Sequence, residues 1–154
     1  MNIIELKKLQ VISIDIKLKE YYSQFEELLK ELEKKNLPQN TLALINNNIE
    51  LINSSELTGI QLRKLIKQQQ TAILKYVEKT HKIVPKSYYQ TLWLLLGITA
   101  FGLPIGTIIG LSLHNMGLLG LGLPIGMGIG ILIGFKMDKK ALNEGRQLNL
   151  TLKQ

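Results

Sequence analysis

Residues 87–135 read SYYQTLWLLLGITAFGLPIGTIIGLSLHNMGLLGLGLPIGMGIGILIGF, 49 residues without a Lys, Arg, Asp or Glu. At about 20 residues per crossing, this stretch is long enough to span a bilayer twice. Lipid offers no partner to an unpaired backbone N–H or C=O, so each crossing is expected to be helical. The first is expected over about residues 88–113 and the second over about 117–135. Only His114, Asn115 and Met116 lie between them, which calls for an antiparallel hairpin.

Glycine is the second signal. Eleven of the thirteen glycines fall between Gly97 and Gly134. Each costs about 1 kcal/mol relative to alanine in an aqueous helix. The compensation expected in lipid is close approach of backbones at small-residue faces. Gly102, Gly106 and Gly110 recur every four residues, as do Gly122, Gly126, Gly130 and Gly134. The pentapeptide GLPIG occurs at 102–106 and again at 122–126, symmetrically about residue 114. A hairpin folded there puts Gly102 at the depth of Gly126, Gly106 at the depth of Gly122, and Pro104 level with Pro124. Gly120 and Gly128 belong to a different face of the second span, free to pack on another copy. A homo-oligomer is therefore expected. Thr99 is expected on the face of Gly102, Gly106 and Gly110; with Thr107 it is the candidate lining of any pore.

The flanks set the orientation. Tyr88, Tyr89 and Trp93 suit the headgroup level at the start of the first span. His81, Lys82 and Lys86 precede that span; Lys136, Lys139 and Lys140 follow the second, whereas the link has no Lys or Arg. The positive-inside bias then places both termini in the cytoplasm and His114 outside. The formal net charge is +7. Its tightest cluster, Lys136, Lys139 and Lys140, adjoins the apolar region and suits anionic headgroups. No nucleic-acid-binding motif accompanies the charge, so nucleic acid is not an expected partner.

Residues 1–86 carry 14 Lys/Arg and 10 Asp/Glu and read as water-facing. Val11, Ile14, Leu18, Tyr21, Phe25, Leu28 and Leu32 form a heptad seam, which predicts one helix over about 3–35. The alternation of Ile12, Ile14, Ile16 and Leu18 with polar residues is a competing strand signal. Helix is favoured, because the chain offers no second strand to pair with. Pro38 opens a second helix marked by Leu42, Ile45, Ile49 and Ile52. Ser54 or Ser55 is placed to cap a third over about 56–84, which Pro85 ends or kinks. The expected class is all-α: a three-helix cytoplasmic domain at 1–86, a two-span hairpin at 87–136 and a basic cytoplasmic tail at 137–154. The heptad seam serves an internal core or a partner helix, and the core is the commoner use.

Catalytic signatures are absent. There is no cysteine, hence no disulfide, thiol nucleophile or Cys-based metal site. Gly126-Met127-Gly128-Ile129-Gly130 lacks the Lys-Ser/Thr of a phosphate loop. His81 and His114 lie at the flank and link with no carboxylate cluster. Glu26, Glu27, Glu31 and Glu33 read as a solvated face interleaved with Lys30, Lys34 and Lys35. No enzyme activity, cofactor or metal is expected. The start of the chain lacks the basic-then-apolar order of a signal peptide, so the C-terminal apolar region is expected to direct insertion.

The run GLPIGMGIGILIGFKMDKKALNEGRQL, residues 122–148, resembles the glycine-zipper segments of small bacterial membrane proteins. The resemblance extends over about 97–148 and implies a bacterial inner-membrane location and self-association. Similar zippers line the pores of mechanosensitive channels and occur in pore-forming peptides. Two functions follow as expectations. One is an oligomeric pore or membrane-permeabilising effector. The other is a membrane-anchored binding, scaffold or immunity-type protein whose residues 1–84 hold a cytoplasmic partner.

Overall fold

The computed structural model describes residues 2–7 and 15–151. Val11 and residues 12–14 of the stretch with the helix-or-strand alternative lie outside the described residues; Ile16 and Leu18 of that stretch are helical. Every regular element among those described is helical, and they sort into two compact units. One lies within Met1–Val84 and Leu148–Gln154; the other is Pro85–Gln147.

The first unit holds α1 (Ile16–Glu33), α2 (Gln39–Asn53) and α3 (Gly59–His81). The expected helix over 3–35 is shorter at its N-terminus. Asp15 caps α1, its Oδ1 accepting from Leu18 N at 3.0 Å, and residues 2–7 are not helical. The remaining heptad positions face inward: Leu18, Phe25, Leu28 and Leu32 are fully buried, with Ile45, Ile49, Ile66, Ile73 and Val77 in the same core. The seam is therefore spent inside the unit. Burying each of these side chains contributes about 1.5–3 kcal/mol. Ser54 and Ser55 do not cap α3. Their hydroxyls donate back to Glu50 O and Ile52 O at the end of α2. Nor does Pro85 stop α3. The helix ends at His81, where Lys82 turns left-handed at φ 56°.

Residues 148–151 return to this unit instead of forming a free tail. Leu148 and Leu150 are buried in the three-helix core, and Leu148 N donates to Val84 O at 2.9 Å. The first division lies at Val84/Pro85, beside the expected 86, and the second at Gln147/Leu148: the tail's apolar residues complete the first core. Glu31 holds that return in place. It is buried, not solvated, and its Oε2 accepts from Asn149 N at 2.7 Å. Gln24 Nε2 reaches Thr151 O at 3.5 Å.

The second unit holds α4 (Tyr88–Leu96), a π-helical turn (Gly97–Gly102), α5 (Leu103–Ser112), a 3-10 turn (Met116–Leu121) and α6 (Gly122–Asn143). Two continuous helical stretches result, Tyr88–Ser112 and Met116–Asn143, each holding an 18-residue window with a mean hydropathy of 2.1 and long enough to cross a membrane. The link is a Schellman turn: His114 is left-handed at φ 51°, Asn115 N donates to Gly110 O at 2.9 Å, and His114 N donates to Leu111 O at 3.2 Å. Asn115 then caps the 3-10 turn, accepting from Gly117 N. A second turn of the same kind ends α6 at Gly145, φ 67°, with Arg146 N bonded to Ala141 O at 2.8 Å.

The Glu31 carboxyl is held below its ordinary value of 4.5, first by the Lys34 hydrogen bond and then by the Asn149 N–H. A depressed carboxylate stabilises the fold fully above the unfolded value, and that contribution fades as pH falls through the lower folded one. Acidification from pH 5 toward 3 should therefore loosen residues 148–151 first, read as a lower protection factor of the Asn149 amide relative to its intrinsic exchange rate at the same pH. Glu31→Gln should abolish this pH dependence and expose the amide at neutral pH.

Candidate functional site

The glycine rows of the two apolar helices meet as a backbone-to-backbone seam. A Cβ on Gly122 would lie 2.1 Å from Gly102 O and 2.3 Å from Gly106 N. One on Gly126 would lie 2.4 Å from Gly97 O and 2.5 Å from Gly102 N. Gly130 and Gly134 carry the seam toward the start of α4, 2.1 Å from Trp93 O and 2.5 Å from Gln90 Cα in the same sense. The expected register holds: Gly102 faces Gly126 and Gly106 faces Gly122, so the two GLPIG segments cross antiparallel. Such distances leave no room for any side chain, because the neighbouring atoms are backbone. Gly110 is the exception among the four-spaced glycines; its Cβ would meet Met116 Sδ at an ordinary 3.5 Å.

Gly97 joins the seam although it stands five residues before Gly102. In a regular α-helix, five residues rotate a position about 140° off its face. The π-helical turn removes the mismatch, since its i→i+5 bonding brings Gly97 under Gly102. Leu103 N donates to Ile98 O within this turn, just before Pro104, which has no N–H of its own to give. Pro124 likewise follows an irregular stretch, the 3-10 turn before α6. The π turn also corrects the expectation for Thr99. It is exposed, off the glycine face, as is Thr107. Both hydroxyls donate to their own helix, Thr99 to Leu95 O at 3.0 Å and Thr107 to Leu103 O at 2.8 Å.

Asp138 closes the seam at its open end. Continuing the row Gly122, Gly126, Gly130, Gly134 by four reaches this residue, which is buried. Its Oδ1 accepts from Tyr89 N at 3.2 Å and its Oδ2 from Gln90 N at 2.9 Å. An α-helix begins with orphan N–H groups and a partial positive charge, and a carboxylate satisfies both. Ser87, the residue at the cap position, is left-handed at φ 58° and makes no side-chain cap bond, so α6 supplies the cap that α4 lacks.

The aromatic flank is more inward than a headgroup belt requires. Tyr89 is buried and meets Tyr88 edge-to-face at 5.2 Å, and Trp93 Nε1 donates to Met137 Sδ at 2.8 Å. Lys136, Lys139 and Lys140 are exposed. Gly120 and Gly128 are also exposed, and a Cβ on either would meet nothing within 4 Å. The hairpin therefore has an inner set of glycines locked between the helices, and Gly120 and Gly128 outside it with open space beside them.

Comparison of the chain with protein families, with curated proteins and with solved structures returns no match.

Alanine at Gly122, Gly126 or Gly130 should force the helices apart at a cost of about 1–3 kcal/mol, seen as a lower unfolding temperature in detergent. Alanine at Gly128 should leave the hairpin as stable or raise its stability by up to about 1 kcal/mol. Equal effects at both classes would contradict the seam. Asp138→Leu should expose the Tyr89 and Gln90 amides to exchange and cost about 0.5–2 kcal/mol, the range of a lost helix cap.

Proposed function

We infer that this chain is a two-span membrane protein that self-associates through the outer face of α6 and holds its three-helix unit at the membrane surface. One observation carries the reading: the hairpin is inverted relative to a water-soluble core. Between Gly97 and Gly134 every buried position is a glycine, while Leu95, Leu103, Ile108, Leu111, Leu132 and Phe135 point outward and exposed. Only 22% of each apolar window is buried. Soluble proteins rarely display so large an apolar surface, and lipid is the solvent that suits it.

The helical unit supports an even number of crossings. Val84 and Leu148, which flank the hairpin in sequence, are hydrogen-bonded to each other in that unit, so the chain leaves and re-enters at one place. Both flanks then lie on one side, and the Lys-rich flanks favour the cytoplasm as that side, which in a bacterium means the inner membrane. Since the chain has no cysteine, a single His114→Cys replacement reports sidedness. A membrane-impermeant maleimide should label residue 114 in intact cells; labelling only after the cytoplasm is opened would refute the topology.

Self-association rests on Gly120 and Gly128, small residues on an apolar surface with nothing packed on them among the described residues. Gly128→Ile should reduce the oligomer to monomers in mild detergent while leaving the unfolding temperature of the hairpin within a few degrees. An unchanged oligomer would remove this face from the account. A conducting ring is the second reading, favoured by the exposure of Thr99 and Thr107, the polar groups best placed to line a narrow lumen gated by dewetting. Ion flux in liposomes decides it, and absence of flux from the oligomer leaves the anchor-and-scaffold role.

A further inference from the structure

Between the start of α4 and the end of α6 lies a cleft of about 430 Å³, a size that suits a small ligand. Phe135, Asp138, Lys139 and Leu142 of α6 form one wall; Lys86, Ser87 and Gln90 form the other. Positions 135, 138, 139 and 142 follow the i, i+3, i+4, i+7 spacing, so they make a single stripe of the helix. The basic run that reads as one cluster in sequence is thereby divided. Lys139 stands in the stripe, whereas Lys136 and Lys140 do not line the cleft, and Lys140 lies 3.9 Å from Glu144.

The cations of the cleft are uncompensated. Among the described residues neither Lys86 nor Lys139 has an ion pair or a hydrogen bond, and the Ser87 hydroxyl has no partner. Asp138 is the one acidic group on the walls, and its two oxygens are spent on Tyr89 N and Gln90 N. Two lysines against one carboxylate leave the walls net positive. The start of α4 offers an anion nothing further. Its first four N–H groups are all taken, by Pro85 O, the two Asp138 oxygens and Ser87 O, so a ligand must be held by side chains. Phe135 and Leu142, each 59% exposed, flank Lys139 along the stripe. A wall both cationic and apolar suits an amphiphile with a negative head better than a small inorganic anion.

We propose that this cleft is a headgroup site for an anionic phospholipid, its phosphate held between Lys86 and Lys139 with the Ser87 hydroxyl as a further donor, and its acyl chain lying against Phe135. The assignment rests on the reading of the hairpin as membrane-spanning, which sets the cleft at the level of the lipid headgroups. It differs from the diffuse attraction of any basic flank, because it requires Lys86 and Lys139 and dispenses with Lys136 and Lys140.

The test uses the full chain in vesicles of phosphatidylcholine and phosphatidylglycerol, with one lipid or the other brominated near the top of its acyl chains. Trp93, the single tryptophan, lies close to one helical turn beyond Gln90 and serves as the quenched fluorophore. At equal mole fraction, brominated phosphatidylglycerol should quench as though enriched about tenfold over brominated phosphatidylcholine. Lys86→Gln with Lys139→Gln should bring the two lipids to parity. Lys136→Gln with Lys140→Gln removes the same charge from outside the cleft and should keep the preference. Equal loss in both double variants would reduce the effect to diffuse attraction and overturn the site. Loss of the preference on adding inorganic phosphate, with ionic strength matched by chloride, would assign the cleft to a free anion and overturn the lipid. Equal quenching by both lipids in the unaltered chain would refute the site alone, whereas no quenching by either would refute the membrane reading with it.

Discussion

Backbone touching backbone across the seam of α4, α5 and α6 is the contact on which the second unit depends. In water, burial of apolar side chains would drive two such helices together. In lipid that gain disappears, and close packing takes its place. Glycine permits it, since only a residue without a Cβ lets Gly122 approach Gly102 and Gly106 as it does. The apolar side chains displaced from the interior cover the outside. One choice of residue type therefore accounts for the packing, the exposed apolar surface and the preference for a non-aqueous solvent.

The seam imposes costs that the rest of the unit offsets. Bringing Gly97 onto the face requires a π turn, and the turn ends where Pro104 would have left a gap in the hydrogen-bond ladder. The start of α4 has no cap of its own, and Asp138 supplies one from the far end of the same glycine row. In the first unit the three helices are completed by two extended pieces from opposite ends of the sequence. Asn46 and Asn53 grip one of them, and Glu31 with the buried Leu148 and Leu150 receives the other. The core of the helical unit consequently draws on the chain from both sides of the hairpin.

What the sequence makes legible follows from range. The hairpin, its glycine register and the three helices rest on periodicities within single segments, and these are visible without knowing what touches what. Gly97 escapes that reading because its five-residue offset is off-face in any regular α-helix; the proline seven residues on is the only local hint. Asp138 was available as the next member of a four-residue row, yet its charge groups it with the neighbouring lysines. Glu31 reads as solvated for the same reason, and what buries it arrives from more than 100 residues away, at Asn149. The extended segments carry no periodic signal: the Asn46 and Asn53 amides define one and the buried Leu148 and Leu150 the other, each across a long separation in sequence.

The central claim is that the outward faces of the apolar helices meet lipid. Nitroxide scanning of residues 123–135 in lipid vesicles tests it most directly, with collision rates measured for oxygen and for a water-soluble nickel complex. Labels at Ile125, Ile131, Leu132 and Phe135 should collide freely with oxygen and hardly at all with nickel. Strong nickel collisions at those four positions would place them in water and contradict the account.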